Sequence, residues 1–267
     1  MSQTTVNRYM FDNSTPESVT QMDSLEAYLD PITFGRLDET DLGAGAVCWE
    51  IGAGGGSVAR AMADRVGPTG TVVATDLDTG RIRDTTGLQV RVHDVRSEPA
   101  PAEGPFDLIH ARLVLMHLPE REQVLTALTA ALKPGGWLLV EDFDCTDPTP
   151  VLTSPGPEES ALFRRVIDGT MTILRNQGAS EDWANHIHSR MAGLGLTDLA
   201  TVEHATSWSG GGYGCRLHAS NSGQLQGRLV ELGLTVPELE RFRALMTDPN
   251  FSALGYQIVS TLGRKPV

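Results

Sequence analysis

Three features of this chain have residue types and spacing suited to shared chemistry. Glu50-Ile51-Gly52-Ala53-Gly54-Gly55-Gly56 sets an acid and a glycine run between an apolar stretch (46–51) and a helix-like stretch (58–66). Glycines let a backbone turn tightly and approach a ligand closely, and the helix that follows aims free N–H groups and a positive dipole end into the turn. Asp76 lies 22 residues after Gly54, at the end of the next strand-like stretch (71–75). A carboxylate in that position can accept hydrogen bonds from two ribose hydroxyls. Asp94, in His93-Asp94-Val95, closes a third such stretch (88–95), where it could accept a hydrogen bond from an exocyclic amine.

A nicotinamide dinucleotide is the first rival ligand. Its fingerprint needs a third Gly or Ala three residues after the second glycine. Counted from Gly52 and Gly54, that position is Ser57, so the loop reads GxGxG rather than GxGxxG. Glu50 also stands just before the glycines. Its negative charge opposes a pyrophosphate and suits a ligand carrying an ammonium group.

The elements that must position these residues alternate. Short β-branched or apolar runs at 46–51, 71–75, 88–95, 106–110 and 137–140 are separated by helical patterns at 58–66 and around 119–133. In the second of these, Pro119 sits at the start, Leu125, Leu128 and Leu132 share a face, and Pro134-Gly135-Gly136 stops the helix. Alternation of this kind implies a parallel sheet with helices on both faces, and the three acidic or glycine-rich features fall at its strand ends. Residues 16–43 read as helix in two pieces, divided at Pro31. Beyond Pro148 the pattern is mostly helical (158–176, 182–194 and 225–246, broken near Gly233), with strands at 199–208 and 251–262.

Composition narrows the class. The 267 residues hold 21 Lys and Arg against 34 Asp and Glu, a net charge of −13. That balance opposes binding to a nucleic-acid backbone or an anionic membrane surface. Three cysteines without a CxxC pair fit a reducing compartment better than a disulfide framework. No leader-like segment or apolar run of membrane-spanning length is present, so a cytoplasmic protein is expected.

Taken in order, the segments VCWEIGAGGGSVAR, VVATDLD, VRVHDV, FDLIHARLVLMHLPE and LKPGGWLLVEDFD, spanning 47–144, closely resemble the class I S-adenosylmethionine-dependent methyltransferases of the bacterial small-molecule type. The resemblance implies an α/β fold, a doubly wound Rossmann-like sheet of seven strands with helical lid segments. An N-terminal lid segment (1–43), a cofactor-binding core (44–147) and a C-terminal part (148–267) that completes the sheet and adds lid insertions are expected. It implies S-adenosylmethionine as cofactor. Glu50 would face the methionine ammonium, while Gly52, Ala53 and Gly54 line the methionine and ribose. Asp76 would hold the ribose hydroxyls, Leu77 would lie beside the adenine, and Asp94 and the Val95 N–H would meet its edge. Ala111 and Arg112 would lie near the methionine end.

The tetrapeptide typical of amide or nucleobase N-methylation is absent at the fourth strand end, which reads His110-Ala111-Arg112-Leu113. His110 likewise departs from the aspartates of metal-dependent catechol-type enzymes. Asp142 and Asp144 read as solvated or capping acids and His186 and His188 as a poor zinc pair, so no metal is expected. Because the sulfonium methyl is already activated, placement of the nucleophile can supply most of the catalysis. His117 and, second, His110 are the candidate bases.

The expected acceptor is a small apolar or aromatic molecule of specialised metabolism. The aromatics of the expected lid (Phe11, Tyr28, Phe34, Phe163, Trp183, Trp208, Tyr213) read first as core and second as pocket lining, and any that line the pocket would meet such an acceptor. Whether O, N or C is methylated is open, and a homodimer is compatible with the sequence. The alternatives are a non-methylating reaction such as cyclisation on the same cofactor fold and, more weakly, a silent ligand-binding protein.

Overall fold

The computed structural model describes residues 16–146 and 149–267. Phe11 and the rest of 1–15, and the junction at Asp147-Pro148, lie outside the described residues. The chain runs α1 (Pro16–Leu37), β1 (Val47–Ile51), α2 (Ser57–Val66), β2 (Thr71–Asp76), β3 (Leu88–Val92), β4 (Phe106–Arg112), α3 (Arg121–Ala131), β5 (Leu132–Asp144), β6 (Val151–Thr153) and α4 (Pro157–Asn176). It continues with α5 (Trp183–Gly193), β7 (Thr197–His204), β8 (Ser207–Ser209), α6 (Tyr213–Gln224), α7 (Gln226–Glu231), α8 (Val236–Leu245), β9 (Ser252–Leu254) and β10 (Gln257–Arg264).

Seven strands form the main sheet in the order β3-β2-β1-β4-β5-β10-β7. The first five pair in parallel, and β10 is antiparallel to both β5 and β7. Strand order reverses direction between β1 and β4, the switch point where open α/β sheets bind ligands beyond their carboxyl ends.

The period of two along the central strands supplies both cores. Trp49, Val73, Ile109, Leu138 and Val140 pack on one face with Val124, Leu125 and Leu128 of α3. Their neighbours Cys48, Val72, Ala74, Leu108 and Leu139 pack on the other with Val58, Ala59, Met62 and Val66 of α2. β3 lies at the sheet edge, and its Gln89 and Arg91 are exposed.

Several expected boundaries shift. α1 is one helix running through Pro31 rather than two pieces. Side chains either side of the proline anchor it to the sheet: Asp30 to Arg112, Thr33 to Glu141, and Arg36 to Ser260. Lys133-Pro134-Gly135-Gly136 belongs to the start of β5, not to a loop after a helix. There Gly135 takes φ 79°, and Gly135 and Gly136 exchange backbone bonds with Lys265. α3 begins at Arg121, after a 3-10 turn at Leu115–His117. The strand expected at 199–208 divides into β7 and β8, and that at 251–262 into β9 and β10. In each pair one strand joins the main sheet and the other a small sheet of order β6-β9-β8. α6 escapes sequence reading because its Gly, Ser and Asn residues are poor helix formers. Packing selects them: a Cβ on Gly214 would fall 1.8 Å from the Trp208 ring.

Candidate active site

A cavity of about 1130 Å³ opens at the switch point. That exceeds the roughly 300–1,000 Å³ usual for a single ligand site. Its floor is the turn from β1 to α2, where Gly52, Gly54 and Gly56 take φ of 65°, 54° and 81°. The turn is fixed from inside. Ala53 N–H donates to the Thr75 carbonyl (3.0 Å) and Gly56 N–H to the Ala53 carbonyl (2.7 Å). Gly54 N–H donates to Asp76 Oδ2 (2.9 Å), and Asp78 N–H donates to Oδ1 (3.0 Å). Asp76 thus ties the glycine turn to the end of β2. Burial raises its carboxyl above the usual range, against the pull of these N–H donors.

Gly52 also needs its missing side chain for space. A Cβ there would lie 2.4 Å from Val114 Cγ2. Gly52→Ala should therefore cost about 1–3 kcal/mol of folding stability through the positive φ and the clash. Adding Val114→Ala should recover only the steric part. Chemical unfolding of the single and double variants checks this, and a fully restored double variant would refute the backbone share.

Behind the floor lies a buried polar chain. Glu50 Oε2 accepts from His110 Nδ1 (2.7 Å), and His110 Nε2 bonds Glu141 Oε2 (3.1 Å). Glu141 Oε2 also accepts from Thr33 Oγ1, which in turn accepts from Arg112 Nη1 (2.9 Å). Burial opposes a charged imidazole at His110, but the two carboxylates outweigh it and raise its pKa to about 9. Burial likewise opposes charge on Glu141, yet His110 holds its carboxyl down at about 2. His110 is fully buried and is not part of the cavity wall. The structure thus corrects its expected place flanking the pocket: it sits behind Glu50. Glu50 reaches the cavity, and its Oε1 has no hydrogen bond among the described residues.

The remaining sequence-predicted residues divide. Gly52, Ala53, Gly54, Leu77, Asp94, Val95 and Arg112 all line the cavity, as do Glu50 and Asp76. Ala111 does not: it is buried in the core, one position short of the strand end. Asp94 is engaged by Arg96, whose Nε and Nη2 donate to its two oxygens at 2.8 and 2.7 Å. That pairing lowers the Asp94 carboxyl pKa. Arg112 donates to Asp30 (2.9 Å) as well as Thr33.

His117 is on the cavity wall as expected. Burial, reinforced by the Arg121 cation, pulls its pKa down to about 4. Asp142, a possible cation ligand on paper, is fully buried and accepts from Met116 N–H (3.3 Å). Burial raises its carboxyl well above the usual range.

Several wall residues carried no signal in the sequence. α1 contributes Gln21, Met22, Leu25 and Glu26. Their pairing at i and i+4 was visible, but nothing marked that face as the one turned to a ligand. Glu26 presses on the glycine turn: a Cβ on Gly55 would lie 2.2 Å from its Oε1. Burial, then the nearby Asp30, raises its carboxyl. Leu113 takes φ 55°, a rare conformation for a side chain of its size. The opposite wall comes from Leu174 and Gln177 at the end of α4 and Arg228 of α7.

Among the described residues, the aromatics expected in the lid do not line the cavity. Tyr28 packs edge-on against Trp208 (5.4 Å), Phe163 stacks with Phe242 (6.0 Å), Trp183 is core and Tyr213 is exposed. Phe34 packs under Arg65. Among the described residues, the apolar wall is aliphatic.

The acids also explain Ser57. Its hydroxyl donates to Asp30 Oδ1 (3.0 Å). Ser57 is thereby committed to an acid of α1 rather than left to meet a phosphate.

The chain is similar to known proteins. A family model described as a methyltransferase domain matches residues 25–206. The chain is 40% identical over 111 residues to methyltransferase str2 of Strobilurus tenacellus, covering 41% of this chain and 40% of that protein. It is 38% identical over 102 residues to the ubiquinone/menaquinone biosynthesis C-methyltransferase UbiE of Bordetella parapertussis, covering 35% of this chain and 39% of that protein. These matches thus span about two fifths of each relative's length. Among solved structures, phosphoethanolamine N-methyltransferase 2 of Haemonchus contortus matches all of this chain and 62% of its own, with TM-score 0.60 and 12% identity. That likeness shows a shared fold.

Proposed function

The chain belongs to the methyltransferase-domain family, and from that premise we propose that it transfers a methyl group from S-adenosylmethionine to a small, largely apolar acceptor. The observation that carries the reading is Glu50: an ionisable side chain at the floor of the cavity, backed by His110, with Oε1 left for a ligand. A cofactor bearing an ammonium fits that acid, and Gly52 and Gly54 admit its close approach. Asp76, at the end of β2, offers two oxygens to ribose hydroxyls. Leu77 and Val95 would flank the base, with Asp94 meeting its amine through lone pairs that Arg96 leaves free.

The bound cofactor would supply an electrophilic methyl on a positively charged sulfur. What the chain supplies is placement. Met22 and Leu25 from α1 and Leu113, Val114 and Leu118 after β4 line the cavity and would hold an acceptor in line while excluding water. No step calls for a metal. The net charge of −13 argues against a nucleic-acid acceptor, and the three buried free cysteines are consistent with a cytoplasmic setting. Among the described residues no helix is long and apolar enough to cross a membrane. Specialised metabolism remains the expected setting of the acceptor.

Calorimetry tests the cofactor. S-adenosylhomocysteine should bind at micromolar concentration, and Asp76→Ala should weaken it by roughly 1–3 kcal/mol by leaving hydroxyls unpaired. Nicotinamide dinucleotides should not bind, and tight dinucleotide binding would overturn the reading. Consumption of no S-adenosylmethionine with any acceptor, despite tight binding, would favour a non-methylating use of the site.

A further inference from the structure

We infer that the methyl acceptor carries a carboxylate and that Arg228 receives it; this rests on the methyl-transfer reading above. The cavity wall opposite the strand ends is built from α4 and α7, and it presents a guanidinium beside Leu174. Gln177 is the near neighbour. With its amide turned to satisfy both groups, its oxygen accepts from Arg228 Nη2 and Nη1 at 3.0 and 2.9 Å.

An amide oxygen is a hydrogen-bond partner but not a counter-charge. The other two cavity arginines are neutralised: Arg112 pairs with Asp30 at 2.9 Å and Arg96 with Asp94 at 2.7 Å. Arg228 has no acidic partner within ion-pair distance among the described residues. Among the described residues Glu26, Asp76 and Asp78 are cavity acids without an ion pair; Glu26 is turned to the glycine floor against Gly55, and Asp76 accepts from the Gly54 and Asp78 N–H groups. Arg228 is therefore the cavity arginine without an acidic partner among the described residues, on a wall it shares with Leu118, Leu174 and Gln177.

Arg228 is half-buried and its side-chain partner is a neutral amide, so a ligand anion would supply the counter-charge that the described residues do not. A guanidinium is planar and presents paired donors that match a carboxylate in a two-pronged fit. A single unpaired cation matches a monoanion, whereas a doubly charged phosphate ester would leave excess negative charge beside Leu174 and Leu118. The acceptor so described is amphipathic: an acid group on Arg228 and Gln177, an apolar body along Leu118 and Leu174, and a nucleophile reaching toward Glu50.

The test uses the full chain loaded with S-adenosylhomocysteine and two probe pairs, cinnamate against cinnamide and octanoate against octanamide, with binding followed by calorimetry or ligand-observed NMR. At least one acid should bind about 10–100-fold more tightly than its amide, the value of a charge-assisted hydrogen bond. Arg228→Gln should erase that preference while leaving amide binding and S-adenosylhomocysteine affinity within about twofold, and Arg228→Lys should keep only part of it. Equal binding of acid and amide, absence of acid binding at millimolar concentration, or a preference that survives Arg228→Gln would each overturn the proposal. A wild type that binds no S-adenosylhomocysteine would instead remove the methyl-transfer reading, and this proposal with it.

Discussion

His110→Gln should be among the most destabilising substitutions in this chain, costing about 3–5 kcal/mol of folding free energy, the range for breaking a buried ion pair by removing one partner. The imidazole lies between Glu50 and Glu141, at 2.7 and 3.1 Å, with no solvent exposure. Two buried carboxylates share one cation, and glutamine leaves both without it. The expected rescue is informative. In a His110→Gln, Glu141→Gln double variant one buried carboxylate goes with the cation, and a large part of the loss should return. If the double variant is as unstable as the sum of the singles, shape rather than charge holds this core.

The same triad sets a pH dependence. The His110 pKa is raised from 6.5 to about 9 on folding. Between those values the folded state holds a proton that the unfolded state has lost, so stability falls as pH rises. The contribution is full below pH 6.5 and gone above about 9, with a slope of at most about 1.4 kcal/mol per pH unit. Two other histidines, the buried His218 and the half-buried His117, act with opposite sign. Burial lowers His218 to about 3, and burial with Arg121 lowers His117 to about 4. Each must stay neutral in the fold while the unfolded chain protonates at 6.5, so each removes stability as pH drops below that value. Unfolding midpoints of the wild type should fall between pH 6.5 and 9, and the double variant should lack His110's share of that decline.

The triad also marks how far the sequence could be read. Glu50, Asp76 and Asp94 were legible because strand ends and glycine turns are local events, and the strand order then carries them to one crevice. His110 stood in the right strand, but which way it faced depended on Glu141, 31 residues away in β5. Strand alternation cannot show that a buried acid waits across the sheet. Ala111 and Arg112 are a matched case: adjacent residues point to opposite sides, so only one of them can reach the cavity.

α1 shows the same limit at longer range. Pro31 reads locally as a helix break, yet Thr33 and Arg36, on the far side of it, bind Glu141 and Ser260, more than a hundred residues away in sequence. Tertiary bonds of that kind override a local signal, and they carry Met22 and Glu26 to the mouth of the cavity. Arg228 was invisible for a related reason. One arginine in a short helix is ordinary until the fold shows no acid paired with it among the described residues. The aromatic residues followed the first of their two readings: Phe163, Trp183 and Trp208 belong to the buried core.

Glu50→Gln should impair turnover far more than His117→Gln, and the contrast tests how the reaction is driven. Glutamine at 50 keeps a hydrogen-bond acceptor but removes the charge proposed to face the cofactor's ammonium. Truncating a buried charge pair in this way costs about 2–5 kcal/mol, so cofactor affinity and kcat/KM should fall by roughly 30-fold to several thousand-fold. His117 was the favoured base from sequence, on the ground that its turn should face the reacting methyl. Its place on the cavity wall agrees with that position. Its pKa of about 4 does not favour the role, since burial and Arg121 resist the proton that a general base must accept. A base so far below the working pH contributes little driving force to proton transfer. His117→Gln should then lower kcat by less than about tenfold, outside the 10²–10⁴ range of a lost general base. The rate profile should show no ionisation near pH 6.5 that disappears in that variant. Single-turnover rates at saturating cofactor separate the two effects, because they remove the binding defect of Glu50→Gln and leave any chemical defect of His117→Gln. A His117→Gln enzyme that binds S-adenosylhomocysteine normally but has lost its turnover would show that proton abstraction, rather than placement of the acceptor against an activated methyl, limits this reaction.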